Sequence, residues 1–206
     1  MISPASPTRA DAGNSPAPWI LPGSGLSVFY GRPEAPRLSH YFLPRVLLAG
    51  RRVLYVDGAN RFDPLLLARM ARQRGREPAE FYELVRVARA FTCFQLTEML
   101  ARVPQHLEKF AAEALIITGL PELYFDEDVR EREARVSFRR ALVALNALRP
   151  LPLGIALFSD ATSFQTPRRG MFRELAAQAS HIWRFHLASG GKLQLLGEKS
   201  ALPLPA

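Results

Sequence analysis

The segment Gly31-Arg32-Pro33-Glu34-Ala35-Pro36-Arg37-Leu38-Ser39 has the length of a phosphate-binding loop, G-x-x-x-x-G-K-[ST]. It follows a short apolar run and leads into a helical pattern, which is where such a loop belongs. In that loop the glycine amides cradle phosphate, the lysine reaches the terminal phosphates and the hydroxyl holds Mg²⁺. Here the second glycine position is Pro36, which has no N–H to offer. Arg37 stands for the lysine, cationic but of different geometry. Leu38 takes the hydroxyl position and ligates nothing; Ser39 comes one residue late, turned by about 100° on a helix. Gly31 and Arg37 remain as nucleotide-contact candidates. Asp57, ending the second apolar run, is the third and the one candidate metal ligand. With these groups nucleotide binding is expected to be weak or absent, hydrolysis inefficient, and no resident cofactor is implied.

The other candidate chemistries are thinner. The four histidines, His40, His106, His181 and His186, lack metal-ligand spacing, so no metal site is expected. Ser159-Asp160 lacks the flanking glycines of a nucleophile elbow. Cys93 is the single cysteine, cannot form an internal disulfide, and fits a reducing, cytoplasmic setting. Trp19 and Trp183 read as packing anchors. The formal charge is +8, and 24 of the 27 cations are arginine. Such a balance suits either a generally basic surface or attraction to a polyanion such as nucleic acid. Arg69, Arg72, Arg74 and Arg76 lie on the exposed face and end of a helix, where cations also complement the helix dipole.

The elements that must position these residues follow from periodicity. The chain has 206 residues, 48% apolar and 22% charged, enough for one sizeable domain. Collagen, coiled coil and disorder throughout are excluded. No apolar run is long enough to span a membrane, and no basic-then-apolar leader is visible. Residues 1–18 are rich in proline, serine and alanine and are expected to form a tail; 19–200 form one core; 201–206 are a loose end. Strands are expected at 26–30, 52–57, 84–91, 114–118, 153–158, 181–187 and 192–196. Helices are expected at 39–49, from Pro64 towards Gly75, at 92–112 with a possible interruption at Pro104, at 131–148, and at 172–179. The continuous apolar strands require a sheet covered on both faces. The fold class is therefore α/β: a mainly parallel sheet flanked by helices, with a C-terminal antiparallel hairpin around Ser189-Gly190-Gly191.

Several segments carry a family resemblance over about residues 25–200. Val56-Asp57-Gly58-Ala59-Asn60-Arg61-Phe62-Asp63-Pro64 resembles the "I-D-T-E-x-x-F-x-P" of the RecA/RadA recombinase superfamily. Val87-Ala88-Arg89-Ala90-Phe91-Thr92, with Gln95, Leu96, Glu98, Met99 and Leu100, resembles its "x-A-R-A-Y-T" strand and following helix. Residues 114–119 with Leu123-Tyr124 resemble "L-L-I-V-D-S-x-x-x-L-Y". Ala179-Ser180 with Trp183-Arg184 resembles its closing strand. The resemblance implies a RecA-like P-loop NTPase fold.

The departures fall on the ATPase machinery. The family's catalytic glutamate falls on Ala59, and its Walker B aspartate on Thr118 or Gly119. Losing base, metal ligand and lysine together removes what phosphoryl transfer needs. The resemblance thus implies a pseudo-ATPase, accessory to DNA recombination or repair. Its expected partners are a RecA-fold or other DNA-repair protein and single-stranded DNA. Self-association through core edges is also implied, although the usual Phe-x-x-Ala tether is not found ahead of the core. The family's two DNA loops map to 121–135, with Arg130 and Arg132, and to 160–171, with Phe164, Arg168 and Arg169. The alternatives are an active or nucleotide-binding ATPase with an atypical loop, and an adaptor regulating cell division or a mutagenic polymerase.

Overall fold

The computed structural model describes residues 20–200; the expected tail, Trp19 and residues 201–206 lie outside them. The elements run β1 Gly25–Tyr30, α1 Ala35–Leu38, a 3-10 turn Ser39–Phe42, α2 Leu43–Leu48, β2 Val53–Asp57, α3 Pro64–Arg72, α4 Pro78–Glu83 and β3 Val85–Arg89. They continue with α5 Cys93–Phe110, β4 Ala114–Thr118, a 3-10 turn Glu122–Phe125, α6 Glu131–Leu148, β5 Gly154–Ser159, α7 Gly170–Gln178, β6 His181–Leu187 and β7 Leu193–Ser200. Seven strands form one sheet in the order β3-β2-β4-β5-β1-β6-β7. All neighbours are parallel except β6 and β7, the expected hairpin.

Strand composition decides position in the sheet. β2, β4 and β5 are buried at every residue and occupy the middle. β3 has only exposed and half-buried residues and forms an edge. Successive side chains point to opposite faces, so one strand feeds two cores. Leu54, Val56, Leu115, Ile117, Ile155 and Leu157 pack under α5, α6 and α7. Val53, Tyr55, Ile116, Ala156 and Phe158 pack under α1–α4, against Phe42, Leu43, Leu67 and Phe81.

Helix ends obey local chemistry. Asp63 caps α3 by accepting the Leu66 N–H at 3.0 Å, with Pro64 in the first turn. Thr92 caps α5 by accepting from Gln95 N at 3.2 Å, and the Gln95 side chain accepts from Phe91 N at 2.8 Å. Inside the first core, Thr97 donates to the Cys93 carbonyl and meets the hydroxyls of Tyr124 and Ser137, each at 2.7 Å. That buried network joins α5, the turn after β4 and α6.

Five details differ from the pattern reading. The single helix expected at 39–49 is α1, a 3-10 turn and α2, starting earlier at Ala35. Pro44, in the first turn of α2, lacks the amide needed to extend the preceding turn. α4 was not expected; Pro78 opens it and the Glu80 side chain accepts the Glu77 N–H at 3.0 Å. β3 is shorter than expected, ending at Arg89, and β7 is longer, reaching Ser200. Pro104 does not interrupt α5.

The connections from β1 and β2 run over one face; those from β3, β4 and β5 run over the other. At the carboxyl ends, β1 beside β5 and β2 beside β4 therefore send their loops apart and leave a crevice. Its floor is built by backbone contact. Gly119 has φ +78°, and a Cβ there would stand 2.3 Å from the Gly58 carbonyl carbon. Gly119→Ala is expected to cost about 3 kcal/mol or more in urea unfolding. Gly50→Ala, at φ +72° but in open space, is expected to cost only about 1 kcal/mol.

Candidate functional site

The loop after β1 is closed on itself. Ala35 N donates to Arg32 O at 3.0 Å, and Arg37 N and Leu38 N donate to Glu34 O at 2.9 and 3.0 Å. Three of the loop's amides, those of Ala35, Arg37 and Leu38, thus have carbonyl partners inside the loop. Ser39 donates its hydroxyl to Pro36 O at 2.6 Å, and the Tyr55 hydroxyl contacts it at 2.7 Å. Behind the loop stand the rings of Phe29, Phe42 and Phe158, with centroids 4.7–5.1 Å apart. Burial holds the Tyr55 hydroxyl firmly protonated by raising its pKa.

Gly31 has φ +109°, and a Cβ there would lie 2.8 Å from Arg184 Cγ and 3.2 Å from Phe185 O. The glycine is required by the close approach of β6. Arg37 is exposed and reaches Asp63 at 3.6 Å. His40, buried below, contacts Arg37 O through Nδ1 at 2.9 Å and accepts the Asp63 N–H at Nε2, also at 2.9 Å. Accepting at Nε2 places the proton on Nδ1. His40 thereby ties the loop to the cap of α3, and burial lowers its pKa.

Asp57 is fully buried, opposite Thr118 in the sheet register. Its Oδ1 accepts from Arg61 N at 3.0 Å and Thr118 Oγ1 at 2.9 Å. Its Oδ2 accepts from Phe62 N at 2.9 Å and lies 3.6 Å from Arg89 Nε. Three hydrogen bonds and the charge of Arg89 thus engage both oxygens of the carboxylate. Asp57 is a joint between β2, β3 and β4. Among the described residues, no group of three or more His, Cys, Asp or Glu is arranged to hold a metal.

The crevice carries negative groups that the pattern reading passed over. Glu122, opening the turn after β4, accepts the Ser159 hydroxyl at 2.5 Å. The Asp160 carboxyl, next in the chain to Ser159, feels Glu122 as well as Arg61 and Glu34 from the loops after β2 and β1. Burial raises the pKa of both carboxyls. The only sequence signal was the Ser159-Asp160 pair; Glu122 lies 37 residues from Ser159 and carried none. The crevice thus brings Glu34, Glu122 and Asp160 together with Arg61.

The expected DNA-contact residues divide. Arg168 is a correction: it is buried and donates to the carbonyls of Tyr124 at 2.9 Å, Asp126 at 2.7 Å and Val129 at 2.6 Å. Three convergent carbonyls satisfy the guanidinium and withdraw it from solvent. Arg169 is exposed, with Nε bonded to Phe164 O at 3.0 Å. Phe164 is 41% exposed and packs edge-on against Phe125 at 5.8 Å. Arg130 and Arg132, both exposed, line a groove of about 430 Å³ with Arg140 and the half-exposed ring of Phe94. Phe94, at the start of α5, is a residue the pattern reading missed.

No protein-family model matches the chain, and no curated protein matches it significantly. Among the described residues no helix is long and apolar enough to cross a membrane.

Arg168→Ala is expected to lower stability by roughly 1.5–3 kcal/mol, read by denaturant unfolding, because it orphans buried carbonyls. Arg169→Ala is expected to change stability little. A second expectation concerns acid. The His40 pKa is lower folded than unfolded, so its contribution is full above about pH 6.5 and is lost as pH falls below it. Thermal unfolding from pH 7.5 to 5 should show that loss, and His40→Gln should show a shallower one.

Proposed function

We propose that this chain is a RecA/RadA-like pseudo-ATPase, an accessory binding protein in DNA recombination or repair. One observation carries the reading: the doubly covered sheet is intact, while the loop after β1 spends its own amides on its own carbonyls. The resembled family keeps its phosphate-binding loop after the first strand and its Walker B aspartate after the fourth. In this chain those places hold a closed turn and Thr118-Gly119, and the crevice between them is lined by acids. Asp57 and Gly31 serve the fold, and Arg37 pairs with Asp63 at the surface. Efficient ATP turnover has no groups to perform it, and ATP contact is weak or absent.

The working surface is then binding. Arg130, Arg132 and Phe94 on one side, and Phe164 and Arg169 on the other, combine cations with exposed rings at the carboxyl end of the sheet. Such surfaces hold single-stranded DNA by phosphate contact and base stacking. A protein partner, of RecA fold or another repair protein, is supported by a second feature. Val136 and Val143 of α6 are 53% and 70% exposed and border a groove of about 550 Å³ against Ala101 and Pro104 of α5. An exposed apolar patch of this kind marks contact surfaces.

Two measurements test the reading. Titration of ATP with Mg²⁺ is expected to show no saturable micromolar binding; magnesium-dependent micromolar binding would overturn it. Affinity for an oligothymidylate is expected to fall steeply with salt, and Arg130→Ala, Arg132→Ala and Arg169→Ala to weaken it, each lowering the salt slope by about one. Affinity that is flat with salt and indifferent to these changes would leave the protein-adaptor role alone.

A further inference from the structure

The connection from β6 to β7 is a tight turn, so the hairpin widens the sheet by two strands without adding a helix. On the face that carries α1–α4, a groove of about 360 Å³ is left at the start of β6, lined by Ile20, Leu21, Phe29, His181, Trp183 and Leu195. Phe29 opposes Trp183 across the sheet, and Trp183 opposes Gly197. A Cβ on Gly197 would stand 3.0 Å from the indole, so the ring lies over bare β7 backbone. Leu21, Phe29 and Leu195 are buried, whereas Trp183 is only half-buried and Ile20 is 37% exposed. The Nδ1 atom of His181 is buried and, among the described residues, has no hydrogen-bond partner. A ring nitrogen shut away from water in this manner calls for a polar atom to be brought to it.

We propose that residues 201–206 turn back from the end of β7 and fill this groove, with Leu202 and Leu204 against Trp183 and Phe29 and a main-chain group of the segment meeting His181 Nδ1. The register delivers the segment to the right place, because Ser200 is the partner of His181. The segment reads Ala-Leu-Pro-Leu-Pro-Ala and has no polar side chain. Its two prolines carry no N–H to strand among apolar walls. Each leucine precedes a proline, which restricts it to extended backbone before it docks. Six extended residues reach about 20 Å. Crossing from β7 over β6 to β1 takes only two strand spacings of about 4.8 Å each. Tethering keeps the local concentration high, so a small contact suffices. Residues 1–18 also adjoin the groove through Ile20, but they carry Thr8, Arg9, Asp11 and Asn14.

The test uses W19F, which leaves Trp183 as the sole tryptophan. In that background, deletion of residues 201–206 is expected to raise acrylamide quenching of Trp183 about twofold and to shift its emission to the red, because the indole loses its cover. The double change L202N and L204N is expected to do the same, with far-ultraviolet dichroism unaltered. Quenching indifferent to both changes overturns the proposal. A difference that disappears on dilution gives the groove to a second copy of the chain and overturns it too. Should the variants not fold as the native chain does, nuclear Overhauser contacts in the native chain decide. Contacts between the Leu202 or Leu204 methyls and the Trp183 indole support the proposal; contacts to that indole from residues 1–19 instead, or from neither segment, defeat it.

Discussion

The Asp57 carboxylate is the joint on which the carboxyl end of this sheet depends. It lies fully buried at the end of β2, and an ionised group there is tolerable only if every lone pair is met. Thr118 meets it from β4, the amides of Arg61 and Phe62 from its own loop, and Arg89 from β3. These contacts fix how the loop after β2 leaves the sheet. That loop delivers Arg61 to the acidic crevice and Asp63 to the cap of α3. Asp63 in turn donates its amide to His40, which holds the loop after β1. One carboxylate thus sets the positions of two loops, and both of its oxygens are engaged by protein.

The same logic separates scaffold from surface. Groups that resemble ligand-gripping residues by position are consumed internally: Asp57 by the strands, the loop amides by their own carbonyls, Arg168 by Tyr124, Asp126 and Val129. Groups left outward are Arg130, Arg132 and Arg169, with the rings of Phe94 and Phe164. The proposed DNA contact draws only on the second set.

The sheet was legible in the sequence because its signal is local and dense. Runs such as Ala114–Thr118 are apolar at every residue, and only a strand covered on both faces uses such a run. The incapacity of the β1 loop was legible too, since Pro36 and Leu38 lack the needed atoms whatever their surroundings. What escaped depends on distant partners. Arg168 and Arg169 are adjacent and chemically identical, yet one turns inward to carbonyls 39–44 residues away and the other outward. Glu122 looks like any surface glutamate until Ser159 is folded against it. α4 was hidden because Glu77 and Glu80 supply its start in place of the usual serine or threonine.

The clasp made by Arg168 has a dynamic corollary. Its backbone belongs to the segment after β5, while all three oxygens it holds belong to the segment after β4. Neither segment can open alone without stranding a guanidinium or three carbonyls in a dry interior. The two therefore form one cooperative unit of local unfolding, and their amide protons should exchange with deuterium at a common free energy.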